Sequence, residues 1–92
     1  MKKIMALCES RHPFPAEVEG AVYPQNVDPL DIRGLRAMAC DALVGVTELT
    51  LYVTGLTVAL IEVLNVCKVL SIKLTLMHYN RETGEYYPQE VL

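Results

Sequence analysis

The segment from Glu48 to Ser71 constrains the fold of this chain more than any other stretch. It begins with alternating apolar and polar residues, which is the pattern of a β-strand. Thr54-Gly55 predicts a turn, and the apolar stretch that follows predicts a buried helix. The helix is expected to have one narrow solvent-exposed stripe, formed by Glu62, Asn65 and Lys68.

A strand that ends at a glycine and opens directly into a helix leaves backbone N–H groups free at the strand's carboxyl end. Such a place suits an anion, and phosphate above all. The alternative is that Thr54-Gly55 only connects the two elements and binds nothing, which is common in small α/β domains.

Three elements are predicted before this segment. The apolar run Lys3–Cys8 predicts a central strand, and Ala21–Tyr23 predicts a short second strand. A helix is expected to begin with Asp28 as its N-cap and Pro29 at its first position, and to stop at Gly45.

The end of the chain predicts a strand and a hairpin. Ile72–Tyr79 alternates as a strand, Asn80–Gly84 forms a loop, and Glu85–Tyr87 returns as an edge strand that Pro88 ends. Strands that alternate with helices predict an α/β fold. We expect a small Rossmann-like three-layer domain whose sheet is mostly parallel, with an antiparallel hairpin at the C-terminus.

Length and charge limit the function. The 92 residues form one domain, 1–92, and their 52% hydrophobic content is enough for a core together with a homodimer interface. The net charge of −3, with no basic run, argues against a long nucleic acid as partner. A small phosphorylated ligand remains compatible. The apolar run 49–61 is too short for a membrane span, and we expect a cytoplasmic protein.

Neither a metal nor a cofactor is expected. Three cysteines are widely spaced, lack a CxxC pair and are predicted to be reduced and buried: Cys8, Cys40 and Cys67. A zinc site would have to recruit ligands from across the whole chain. No dinucleotide fingerprint, P-loop, nucleophile elbow or zinc-protease motif is present.

Polar side chains follow three of the predicted strands. Ligands of open parallel sheets bind beyond the carboxyl ends of the strands, so we expect these groups to share one edge. The strand ends also deliver Glu9, Tyr79 and Asn80 to this edge. The candidate site residues are Ser10, Arg11 and His12 after the first strand, Thr54, Gly55 and Thr57 at the turn, and His78 and Arg81 near the end of the 72–79 strand. Structural alternatives are open for each: turn hydrogen bonds, helix capping, solvated charges and, for His78, a histidine at the edge of the core.

Three motifs carry a family resemblance. "SRHP" at Ser10–Pro13, "VDP" before the first helix and "VTGLTVAL" at Val53–Leu60 resemble small CRISPR-associated proteins of type III systems. These are single-domain relatives of the CARF sensor fold, and some are ring nucleases. The resemblance implies an antiviral-defence protein that binds a cyclic oligoadenylate messenger across the two-fold axis of a homodimer.

The resemblance also implies site residues. Family sites use the loop after the first strand and the strand–Gly–helix turn, which correspond to Ser10–His12 and to Thr54, Gly55 and Thr57. His78 and Arg81 are added from the strand-end argument. Metal-free ring cleavage would use Arg11 to stabilise charge and His12 to transfer a proton. Two alternatives stay open: a non-catalytic protein-interaction module, and an enzyme acting on another small phosphorylated ligand.

Overall fold

The computed structural model of the chain describes residues 1–11 and 13–92. Strands and helices alternate along the described residues until the final hairpin. The elements are β1 (Lys2–Cys8), β2 (Ala21–Tyr23), α1 (Ile32–Leu43), β3 (Glu48–Tyr52), α2 (Thr57–Val69), β4 (Lys73–Asn80) and β5 (Glu85–Glu90).

The strands form one sheet in the order β2-β1-β3-β4-β5. β2, β1, β3 and β4 are parallel to one another, and β5 pairs antiparallel with β4. The register aligns Ala6 with Tyr52 and Tyr52 with Met77, so that β1, β3 and β4 end at about the same level. The predicted Rossmann-like α/β fold, mostly parallel with an antiparallel hairpin at its end, is confirmed.

Both helices pack against each other and contribute to one apolar core with the sheet. Fully buried leucines from strands and helices fill it: Leu7, Leu35, Leu43, Leu49, Leu51 and Leu74. Tyr52 alternates with Leu51 and points to the other face of the sheet. There the β1–β2 connection covers it, with Phe14 in ring contact at 6.3 Å. The layer opposite the helices is therefore a loop.

Helix α1 begins later than its sequence predicts. Its N-cap is Asp31, whose Oδ1 accepts a hydrogen bond from the Gly34 N–H at 3.0 Å. Asp28 instead holds a turn before the helix, accepting from the Leu30 N–H at 2.9 Å. The glycine matters because a Cβ at Gly34 would lie 2.2 Å from the Asp31 carboxylate. The predicted end is confirmed, since Gly45 follows the helix with a φ of +79°.

The predicted solvent-exposed stripe of α2 is wrong at one position. Glu62 is only 4% exposed. Its carboxylate accepts a hydrogen bond from Arg36 Nε at 2.7 Å and another from Asn65 Nδ2 at 3.2 Å. Burial is tolerated because a cation on α1 pairs with the charge. Asn65 and Lys68 are exposed as predicted.

Several strand ends also differ: β4 runs Lys73–Asn80 rather than Ile72–Tyr79. β3 stops at Tyr52, one residue before the predicted Val53. β5 continues through Pro88 to Glu90, although the proline is predicted to end it. An edge strand tolerates proline because only one side of its backbone pairs with a neighbour. Neither of the two described helices is long and apolar enough to cross a membrane.

Candidate functional site

The carboxyl ends of β1, β3 and β4 open into one cleft of about 1190 Å³. Side chains and backbone from three separate parts of the chain line it: Ser10, Pro13, Phe14 and Pro15 after β1, Val53, Thr54 and Gly55 after β3, and Tyr79, Arg81, Gly84, Glu85 and Tyr86 from the β4–β5 hairpin.

The parallel register explains why these segments meet. β1 and β4 flank β3, and the backbone N–H of Val53 continues the ladder by donating to the Met77 carbonyl at 3.0 Å. The chain therefore leaves all three strands at the same edge. The β4–β5 hairpin extends beyond this edge, since the last β3–β4 pair is Tyr52 with Met77, whereas Tyr79 pairs with Tyr86 and Asn80 with Glu85.

Four of the residues predicted from the sequence line the cleft: Ser10, Thr54, Gly55 and Arg81. Arg11 is exposed and is not part of the described lining. His12, the predicted proton-transfer residue, lies outside the described residues. Thr57 is the exposed first residue of α2, next to the lining. The strand-end argument thus brings together half of the predicted set.

His78 lies elsewhere. It follows Leu76 on the sheet face opposite Tyr79, and its Nε2 is 2.8 Å from Gln89 Oε1. The Tyr87 ring lies 5.4 Å from the imidazole. These β5 partners hold His78 away from the residues that line the cleft, which is the arrangement of a histidine at the edge of the core.

The start of α2 supplies backbone donors beside the cleft. Its N-cap is Leu56, which makes no side-chain capping hydrogen bond, so no side-chain cap satisfies the first-turn N–H groups there. A Cβ built on Gly55 would meet nothing within 4 Å. The space above this glycine is therefore open to a ligand.

Thr54 connects the cleft to the interior. Its side chain hydrogen-bonds Cys8 at the end of β1. Burial raises the pKa of the Cys8 thiol, and the Thr54 hydrogen bond opposes that shift. Cys8 is therefore a buried, protonated thiol at neutral pH.

A row of aromatic rings forms one side of the cleft, and the sequence predictions missed it. Phe14, Tyr52, Tyr86 and Tyr79 follow one another in edge-to-face contacts. Tyr52 is buried at the base, and the other three rings line the cleft. A signal was present: strand alternation places Tyr79 opposite His78, and a four-residue hairpin pairs it with Tyr86.

Tyr52 also fixes the loop that bears Phe14. Its hydroxyl donates to Glu17 Oε1 at 2.5 Å, within the range of a charge-assisted hydrogen bond. Burial, followed by this bond and the Glu17 charge, raises the pKa of Tyr52 to about 12. The tyrosine is therefore protonated at neutral pH and ties the β1–β2 loop to the sheet.

A second, smaller depression of about 500 Å³ lies along the same loop. Its lining includes the carboxylates Glu9 and Glu19, which would repel a phosphate. The described lining of the larger cleft has one carboxylate, Glu85, together with the cation Arg81, and this cleft is therefore the better site for an anion.

No metal site emerges from the described residues, among which no group of three His, Cys, Asp or Glu side chains could hold an ion. No family model, curated protein or solved structure matches this chain. The resemblance to small CRISPR-associated proteins therefore depends on its three motifs. Two of them, "SRHP" and "VTGLTVAL", contribute residues to the same cleft.

Proposed function

We propose that this protein binds a cyclic oligoadenylate at the carboxyl ends of its sheet strands. One observation carries the proposal: residues from two of the motifs line the same cleft as a cationic side chain. Ser10 and Pro13 come from "SRHP", Thr54 and Gly55 come from "VTGLTVAL", and Arg81 comes from the hairpin.

The cleft offers the groups that a phosphodiester needs. Arg81 supplies a guanidinium, which pairs with phosphate oxygens through two parallel hydrogen bonds. The first turn of α2 supplies N–H donors and the positive end of a helix dipole. Gly55 leaves the backbone bare, so that a phosphate can approach these donors closely.

A homodimer completes the proposal. A cyclic oligoadenylate with an even number of nucleotides has a two-fold axis, and a symmetric dimer presents each cleft twice about such an axis. Two Arg81 side chains and two α2 termini would then face alternate phosphates. One ring is expected to bind two chains.

Cleavage of the ring needs no metal in this scheme. A ribose 2′-oxygen attacks the adjacent phosphorus, the bond to the 5′-oxygen breaks, and a 2′,3′-cyclic phosphate forms. His12 accepts the proton from the 2′-hydroxyl, a water molecule donates a proton to the departing 5′-oxygen, and the hydroxide left behind takes up the proton from His12. Arg11, an exposed side chain next to the lining residue Ser10, stabilises the charge that develops on the phosphate.

Binding is tested by calorimetry with cyclic tetra-adenylate and cyclic hexa-adenylate on two matched variants. Gly55→Leu fills the open space beside the α2 terminus. Gly20→Leu adds the same side chain at another glycine with nothing within 4 Å of its Cβ, outside the cleft. We expect Gly55→Leu to abolish binding and Gly20→Leu to retain it. Equal binding by both variants, or none by the wild-type protein, would reject the proposal.

Cleavage is tested separately by chromatography of the reaction products without added metal. His12→Ala and Arg11→Ala are expected to slow linear product formation by at least roughly 100-fold, the typical contribution of one positioned proton-transfer group or charge stabiliser. If the wild-type protein binds the ring and releases no product, the protein sequesters the messenger and is not a nuclease.

A protein-interaction module is the second candidate. Ile61 and Val69 of α2 are exposed apolar side chains, and β5 is a sheet edge with mostly exposed residues. A pull-down of one protein partner with the variants Ile61→Lys and Arg81→Ala distinguishes the two candidates. Loss of the partner with Ile61→Lys, and its retention with Arg81→Ala, would favour the interaction module. If the protein is an enzyme that acts on another small phosphorylated ligand, a thermal-shift screen of such compounds should find one that raises the Tm.

A further inference from the structure

The aromatic row is a feature that the phosphate chemistry does not use. Phe14, Tyr79 and Tyr86 line the cleft, whereas Tyr52 lies beneath them. Adjacent rings meet edge to face, with centroids 4.7 Å apart for Tyr52 and Tyr86 and 5.2 Å apart for Tyr86 and Tyr79. Each ring is thereby held in place by its neighbour.

Tyr79 is the most exposed ring of this row. It is 51% exposed although it contacts Tyr86, so much of its surface is open to solvent at the cleft. An immobilised aromatic ring at the mouth of a cleft loses little entropy when a flat ligand stacks on it. Arg81 lies two residues along the chain and also lines the cleft. A stacking surface and a phosphate-binding cation are therefore adjacent.

We propose that Tyr79 and Tyr86 form a nucleobase subsite, with Tyr79 as the stacking ring and Tyr86 as the ring that positions it. This inference builds on the proposed function and adds the part of the ligand that the hairpin contacts. Aromatic rings stack on every base, and a purine offers the larger face. The subsite therefore favours adenine over uracil because adenine has a larger contact area with the ring, and no hydrogen bond to the base is needed.

The hairpin supplies a matched control. Tyr79 and Tyr87 are each 51% exposed and lie on β4 and β5, but Tyr87 contacts His78 on the opposite face of the sheet. Tyr79→Leu removes the stacking ring from the cleft. Tyr87→Leu makes the same change outside it. Both variants should keep the far-ultraviolet circular dichroism of the wild-type protein.

We expect Tyr79→Leu to weaken binding of cyclic tetra-adenylate by roughly 10- to 100-fold, the usual loss for one stacked base. Tyr87→Leu should change the Kd less than about threefold, because a substitution outside the cleft removes no base contact. The salt dependence gives a second measurement. Tyr79→Leu should leave the slope of log Kd against log salt unchanged, whereas Arg81→Ala should lower it.

A second probe separates this inference from the proposed function. The chain has five tyrosines and no tryptophan, so its emission comes from tyrosine alone. AMP should quench this emission in the wild-type protein and not in Tyr79→Leu. Quenching by AMP without binding of the cyclic ligand would support the base subsite and reject the proposed function. Tight cyclic-ligand binding that Tyr79→Leu leaves unchanged would overturn the subsite alone, and absence of both signals would overturn both.

Discussion

Tyr52→Phe tests how the cleft is held together. The substitution removes one hydroxyl and retains the ring that packs between Phe14 and Tyr86. What is lost is the hydrogen bond to Glu17 Oε1, which joins the β1–β2 loop to the sheet. The fold should persist, because the ring stays in place and Leu51 beside it still fills the core.

The expected cost follows from the exposure of the two partners. Tyr52 is 3% exposed, whereas Glu17 is at the surface and can return to water when its donor is removed. Hydrogen bonds to charged acceptors contribute about 1.5–3 kcal/mol, and neutral ones about 0.5–1.5 kcal/mol. Because Glu17 regains its hydration, we expect Tyr52→Phe to lower the free energy of unfolding by about 1–2 kcal/mol. For a domain of this size, each kcal/mol lowers Tm by about 4–8 °C.

The difference between the proteins should also depend on pH. The pKa of Tyr52 is raised to about 12 in the folded state, against an ordinary value near 10. The stabilisation is therefore complete below pH 10 and is lost as the pH rises from 10 through 12. Phenylalanine cannot ionise. The stability gap between the wild-type protein and Tyr52→Phe should narrow over this range.

Chemical denaturation of a double-mutant cycle measures the interaction directly. Tyr52→Phe is combined with Glu17→Gln, and Tyr87→Phe serves as the surface control. We expect the effect of Tyr52→Phe to shrink in the Glu17→Gln background, and Tyr87→Phe to change stability by less than about 0.5 kcal/mol. An unchanged effect of Tyr52→Phe in that background, or a constant gap above pH 10, would refute the role given to this hydrogen bond.

Two further changes test the pairing of α1 with α2 and the turn of the β4–β5 hairpin. Arg36→Ala leaves the buried Glu62 carboxylate without its cation, so Tm should fall well below that of the exposed-charge control Lys68→Ala; equal Tm values would contradict this pairing. Gly84→Ala forces a side chain into the left-handed region at φ +74°, and should cost about 1–2 kcal/mol in denaturant titrations. The added Cβ at position 84 would lie 3.8 Å from the Tyr79 hydroxyl, which is an ordinary contact. A loss of stability well above about 1–2 kcal/mol would therefore contradict backbone strain as the cause.

Much of the fold follows from periodicity. The strand of alternating residues that begins at Glu48, the turn at Gly55 and the apolar helix after it all occur where the sequence predicts them. The meeting of Ser10, Thr54, Gly55 and Arg81 follows from one rule, that parallel strands end at the same edge of a sheet. That rule needs only the order of elements, which is why it could be applied without coordinates.

The missed features depend on tertiary pairing. Glu62 has helical spacing with Asn65 and Lys68, but its burial depends on Arg36 from another helix. The N-cap is a local exception: Asp31, rather than the predicted Asp28, accepts from the Gly34 N–H three residues along the chain, the ordinary spacing of a cap.

Strand position decides the remaining differences. The sequence predicts that β5 is an edge strand, and only the stop at Pro88 is wrong, because the unpaired side of an edge strand accommodates proline. The hairpin alone predicts the contact of Tyr79 with Tyr86, but the complete aromatic row has rings from three segments: the β1–β2 loop, β3 and the β4–β5 hairpin. Only the sheet order brings them together.

The most direct test of the central claim is the stoichiometry of cyclic tetra-adenylate binding, measured by calorimetry together with the mass of the complex in solution. The account predicts one ring per two chains, a complex of dimeric mass, and loss of the heat in Gly55→Leu. No heat at micromolar protein, or a heat that Gly55→Leu leaves intact, would contradict the claim that this cleft binds the ring.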